Sequence, residues 1–83
     1  MTYREKISYV NGQASSREES LALLARYRDE LSEEEYGWIY SSIATHAIEG
    51  MFLDEQAIVM GIAQLRGEIT EDEVFSIARS LAA

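Results

Sequence analysis

From residue 15 onward, apolar and polar positions recur with the period of an α-helix, punctuated by capping signals and glycine. Ser15 and Ser16 each have a glutamate three residues on, Glu18 and Glu19, the spacing of a capping box. Leu21, Leu24, Ala25, Arg28 and Leu31 follow at helical spacing, their aliphatic members forming a narrow stripe. Ser32 with Glu35 opens a second helix near 33–49, whose "EEE" start suits the positive end of a helix dipole. Gly50 stands where such a helix needs left-handed backbone to stop. After a short apolar connector, "MFL", Asp54 caps a third helix through Ala57, Ile58, Ile62 and Leu65, which ends at Gly67. Thr70 with Glu73 opens a last helix through Val74, Phe75, Ala78 and Leu81. With no proline to interrupt these segments, the pattern predicts an all-α chain of about four helices. Residues 1–14 are different. "ISYV" followed by "NG" fits either a short strand and turn or a loosely held arm. The expected organisation is an arm over 1–14 and a helical domain over 15–83.

Composition narrows the function classes. A chain of 83 residues is at most one small domain, and 47% hydrophobic residues are too many for a disordered tail. Without cysteine there is neither a disulfide framework nor a thiolate metal site. The opening carries no apolar signal region, and no run approaches the roughly 18 apolar residues of a membrane span. A cytoplasmic protein without a membrane partner is expected. The net charge of -8 argues against nucleic acid, whose phosphates reward clustered lysine and arginine. It fits simple solubility, or a partner with a basic pocket.

At about 100° per residue, the second predicted helix has two contrasting sides. Tyr36, Tyr40, Ile43 and Ala47 share one stripe, with Ile39 and Ala44 at its borders, and this side reads as core. Trp38, Ser42, Thr45 and Glu49 share the other. An indole, two hydroxyls and a carboxylate together suit either a partner contact or a solvated face with one partly covered tryptophan. Thr45 and Glu49 lie one turn apart on the same ridge, and Gly50 frees the space beyond the carboxylate. A carboxylate held this way can imitate a phosphate towards an arginine. His46 points about 100° away from Thr45, so Thr45, His46 and Glu49 do not converge as a catalytic trio. As the sole histidine it has no second imidazole to complete a metal site, and a surface or rim position is expected. The acidic run Asp29, Glu30, Glu33, Glu34 and Glu35 lacks the alternation of a calcium loop. No nucleophile, base and oxyanion donors can be assembled, so neither enzymatic activity nor a cofactor is expected.

The stretch "THAIEG", residues 45–50, resembles the [S/T]-x-x-x-E-[G/N] inhibition motif that controls Fic-domain adenylyltransferases, enzymes that transfer AMP from ATP to protein hydroxyls. The layout that follows it is similar to that of the small VbhA-like antitoxins of bacterial toxin–antitoxin systems. The matching elements are Glu49-Gly50, Leu53-Asp54, Gly67-Glu68 and Thr70-Glu71-Asp72, within residues 39–81, about half the chain. The additional predicted helix and arm before the motif depart from the family's shortest members. The resemblance implies a heteromeric complex with a Fic-domain toxin, the helix near 33–49 being inhibitory. Glu49 would pair with the toxin arginine that otherwise holds the ATP γ-phosphate, Thr45 would support it, and Gly50 would let it approach. Trp38 and Ser42 would contribute to partner binding. The alternative is a helical adaptor or regulatory subunit that uses Trp38 and the acidic face. Tyr36, Ile43, Met51, Phe52, Ile58, Ile62 and Phe75 offer more apolar surface than four short helices need, so part of it is expected to be buried against the partner.

Overall fold

Side-chain caps and glycine stops set most of the helix boundaries. The computed structural model describes residues 2–82, with the side chains of Ala78, Leu81 and Ala82 outside the description. Five α-helices follow one another: α1 (Tyr3–Lys6), α2 (Arg17–Ala25), α3 (Glu33–Ile48), α4 (Glu55–Leu65) and α5 (Glu71–Ala82). A 3-10 turn, Arg28–Glu30, links α2 to α3. No strand occurs among the described residues. The chain is all-α.

Ser16, Ser32, Asp54 and Thr70 each accept from the backbone N–H three residues on, satisfying a donor that the first turn leaves free. At α3 and α5 the capping box is complete, with Glu35 and Glu73 accepting from the N–H of Ser32 and Thr70. At α2 the return bond is displaced by one residue, because Glu19 accepts from Ser15 while Ser16 caps the helix. Helices α3 and α4 both stop at a left-handed glycine, Gly50 at φ 79° and Gly67 at φ 71°. In each, the two following N–H groups turn back onto the last free carbonyls: Gly50 to Ala47 and Met51 to His46, Gly67 to Gln64 and Glu68 to Ala63.

Residues 2–14 form neither a strand nor a loose arm. Thr2 and Glu5 make a capping box that starts α1, and Tyr3 and Ile7 are buried in the core. The stretch after it is held by Glu55, which is buried at the start of α4. One Glu55 oxygen accepts from Tyr27 Oη at 2.5 Å and the other from Gly12 N–H at 3.0 Å, while Glu55 N–H donates to Gly12 O at 2.8 Å. Arg26 reaches the same carboxylate at 3.4 Å from a largely exposed position. A Cβ on Gly12 would meet Glu55 Oε1 and Leu23 Cδ2 at 2.6 Å, so any larger residue at this crossing would displace the ends of those side chains. Tyr27 also explains why α2 ends at Ala25 and not near Leu31. Its ring turns inward to Glu55 while Arg28 turns over Tyr36, 4.2 Å from the ring centre. The backbone leaves the α conformation at Tyr27, φ -106° and ψ 7°, where these contacts begin.

The core runs through Leu24, Ile39, Ile43, Ile58, Val59, Ile62 and Ala63, with α4 packed against all four other helices. Three faces differ from the wheel. On α3, Ile39 and Ile43 form the buried ridge, and Tyr40 is exposed. On α4, Val59, Met60 and Ala63 are buried and Leu65 is exposed. On α5, Val74 and Ile77 pack against the core while Phe75 faces outward. Ala78 and Leu81, also assigned to that stripe, lie outside the described side chains.

Two stability predictions follow from these anchors. Glu55→Ala strands a buried phenol and a backbone N–H, and is expected to cost about 2–4 kcal/mol in urea unfolding, whereas Tyr27→Phe costs about 1 kcal/mol. At the surface, Arg66 donates through Nε and Nη2 to both oxygens of Glu35, at 3.0 and 3.2 Å. Together with the Ser32 N–H, it lowers the Glu35 carboxyl from 4.5 to about 2. A pKa lower in the folded than in the unfolded chain gives stability that is complete above about 4.5 and is lost as pH falls towards about 2. Arg66→Gln is therefore expected to flatten the acid limb of the urea midpoint over that window and to leave its shape near neutrality unchanged.

Candidate functional site

Helix α3 presents the motif, and both of its ends are fixed. Its start carries the Ser32–Glu35 box, tied across to Arg66 at the end of α4. Its middle is seated on α4, where Ile39 Cδ1 lies 3.1 Å from the position a Cβ on Gly61 would take. Its end is closed by the Gly50 turn. Around this axis the side chains sort into three sectors. Ile39 and Ile43 are buried. Trp38, Thr45 and Glu49 are exposed along one flank, and Ser42 is half-buried between that flank and the ridge. The third sector, Tyr40, Ala44 and Ile48, faces α2 and the solvent.

His46 is half-buried at the rim, with Nδ1 2.7 Å from the carbonyl of Ser42 one turn back. That contact occupies the imidazole locally and separates it from Thr45 and Glu49. Among the described residues no cluster of three metal-binding side chains occurs.

Glu49 is the C-cap residue of α3, with φ -88° and ψ 5°, and its own N–H still donates to Ala47 and His46. Its side chain is exposed and has no hydrogen-bond or ion-pair partner among the described residues. Thr45 is exposed one turn behind it. A carboxylate at this end faces the negative pole of the helix dipole, where a cation would be stabilised. Seven acidic residues sit favourably, Glu33 to Glu35, Glu55 and Glu71 to Glu73, all in first turns. Glu49 does not, and no basic side chain among the described residues pairs with it. Gly50 is there for its left-handed backbone, since a Cβ on it would meet nothing within 4 Å.

Trp38 is 63% exposed beside Glu34, Gly37 and Ser41, in a shallow hollow of about 380 Å³. The apolar surplus expected from the sequence divides in two. Ile43, Ile58 and Ile62 are in the core, whereas Met51, Phe52 and Phe75 are exposed. Ile48, 88% exposed, escaped the sequence reading, although its place opposite Ile39 on the wheel marks it as an unsupported aliphatic. No helix among the described residues is long and apolar enough to cross a membrane. No family model, characterised protein or solved structure matches this chain.

The dipole mismatch has a readout that needs no partner. Glu49→Gln removes a charge from the wrong helix end and is expected to raise the Tm of the lone chain by roughly 1–5 °C. Gly50→Ala forces a side chain into left-handed backbone and should lower stability by about 1–2 kcal/mol. Thermal melts followed by circular dichroism compare both with the parent.

Proposed function

We propose that this chain is an antitoxin that binds a Fic-domain adenylyltransferase in the cytoplasm and blocks AMP transfer through Glu49. The observation that carries the reading is the unpaired Glu49 carboxylate, exposed at the end of a helix whose dipole disfavours it. A destabilising charge kept at a rigid, solvent-facing position is a mark of function more than of folding. Thr45 behind it and Gly50 beyond it complete the constellation on which the resemblance to the Fic inhibition motif rests.

The mechanism is obstruction. Glu49 pairs with the arginine that would hold the ATP γ-phosphate, and the nucleotide cannot align its α-phosphate with the attacking hydroxyl. Nucleotidyl transfer depends on positioning and charge stabilisation, so displacing one phosphate removes most of the rate. The chain contributes no catalytic group and binds no cofactor. Its net charge of -8 steers it towards a pocket built for phosphates. A second reading, a helical adaptor, draws on the exposed Trp38 in its hollow.

Co-expression with a neighbouring reading frame that encodes H-x-F-x-[D/E]-G-N-G-R-x-x-R, followed by autoadenylylation with labelled ATP, separates the two. The wild-type complex is expected to be silent and the Glu49→Gly complex active. Loss of one charge-assisted pair weakens binding by about 2–5 kcal/mol without dissolving the complex. Thr45→Ala should release activity more weakly, since a neutral hydrogen bond contributes about 1 kcal/mol. An intact Glu49→Gly complex that stays silent would sink the mechanism, and loss of assembly on Trp38→Ala would then favour the adaptor.

A further inference from the structure

The seam between α2 and α3 is chemically unlike the rest of this acidic molecule. Four of the basic residues are neutralised by carboxylates: Arg4 by Glu73, Lys6 by Glu30, Arg26 by Glu55 and Arg66 by Glu35. Arg17, Arg28 and Arg79 have no such partner among the described residues, although the chain carries 15 acidic side chains. Arg17 and Arg28 lie on the seam and are held by tyrosines. The Arg28 guanidinium lies 4.2 Å from the Tyr36 ring centre, Tyr36 and Tyr40 are 6.4 Å apart, and Arg17 Nη2 donates to Tyr40 Oη at 3.5 Å. Below Arg17 the seam opens into a groove of about 400 Å³ lined by Arg17, Ala44, Ala47, Ile48 and Phe52. No carboxylate lines it.

We infer that this seam is a docking groove for an amphipathic segment of a protein partner, one that presents aliphatic side chains flanked by carboxylates. The aliphatic side chains enter between Ala44, Ala47, Ile48 and Phe52, and the carboxylates meet Arg17 and Arg28. Contact with tyrosine, a ring face for Arg28 and a hydroxyl for Arg17, holds each guanidinium in place and leaves it free for a paired carboxylate contact. Alanines at two lining positions keep the floor low enough for a helix to approach, as in helix-in-groove recognition. Nucleic acid and anionic membrane fit poorly. They present extended negative fields to a chain of net charge -8, whereas a short segment engages only the local guanidiniums. The groove and the Thr45–Glu49 flank lie on different sides of α3, so the groove does not depend on the antitoxin reading.

The test uses two fluorescein-labelled helical peptides on one leucine–alanine template, one flanked by glutamates and the other by lysines, read by fluorescence anisotropy. The overall charge of the chain favours the lysine peptide and the groove favours the glutamate peptide, so their order discriminates. Expected is binding of the glutamate peptide at least about tenfold tighter, a factor that corresponds to about 1.4 kcal/mol. That binding should weaken with added salt and be lost in Ile48→Asp, whose exposed site leaves the helical circular dichroism intact. Arg17→Glu with Arg28→Glu should reverse the order of the peptides. Equal binding of both peptides, binding of neither, or full binding by Ile48→Asp overturns the inference. So does a concentration-dependent dimer that Ile48→Asp abolishes, which would assign the groove to a second copy of the chain.

Discussion

Covering α4 is the constraint on which the other elements depend. Its eleven residues include Glu55, Ile58, Val59, Met60, Ile62 and Ala63, all buried, so apolar surface runs most of the way around the helix. A helix apolar on so many sides cannot lie on one neighbour; it has to be wrapped. Helices α1, α2, α3 and α5 each take one side of it. Ile39 packs where α4 has no side chain, at Gly61. Burial of Ile58 and Ile62 alone, at about 1.5–3 kcal/mol each, is comparable to the whole net stability expected of a domain this small.

Burying the start of α4 also buries Glu55, and that carboxylate organises the chain around it. A charge out of water must be hydrogen-bonded. Tyr27 and Gly12 N–H supply the bonds, one from beyond α2 and one from the N-terminal stretch. Ser20 does similar work nearby, its buried hydroxyl donating to Leu53 O at 2.8 Å and fixing the connector into α4. These polar ties set where the non-helical segments run, which hydrophobic burial by itself does not specify.

Helix α3 then serves two ends at once. One ridge seals α4, and the remaining circumference is free for other uses. Thr45 and Glu49 occupy one flank, and the seam with α2 carries two arginines and a groove without carboxylates. Rigidity is what makes a short helix useful here. Capped at Ser32, seated at Ile43 and stopped at Gly50, it presents its exposed groups with little freedom to lose on binding.

The sequence by itself determined the start of α2 and both ends of α3 and α4, with the start of α5. Ser16, Ser32, Asp54, Thr70, Gly50 and Gly67 act through local geometry, within one turn of the chain, and local geometry is written in adjacent residues. It also determined the Thr45, Glu49, Gly50 constellation, since side chains four apart on a helix share a side whatever the helix packs on. Only the tertiary structure decided which ridge of α3 is buried, because the alternatives, Tyr40 or Ile39, differ by one residue in register and Ile39 is the one that packs against α4 at Gly61. It alone seated α1 in the core and pinned the crossing at Gly12, the latter through a carboxylate more than forty positions away. It alone ended α2 early and brought Arg17 beside Tyr40. Contacts of that kind depend on which elements meet, and periodicity along one helix carries no information about its neighbours.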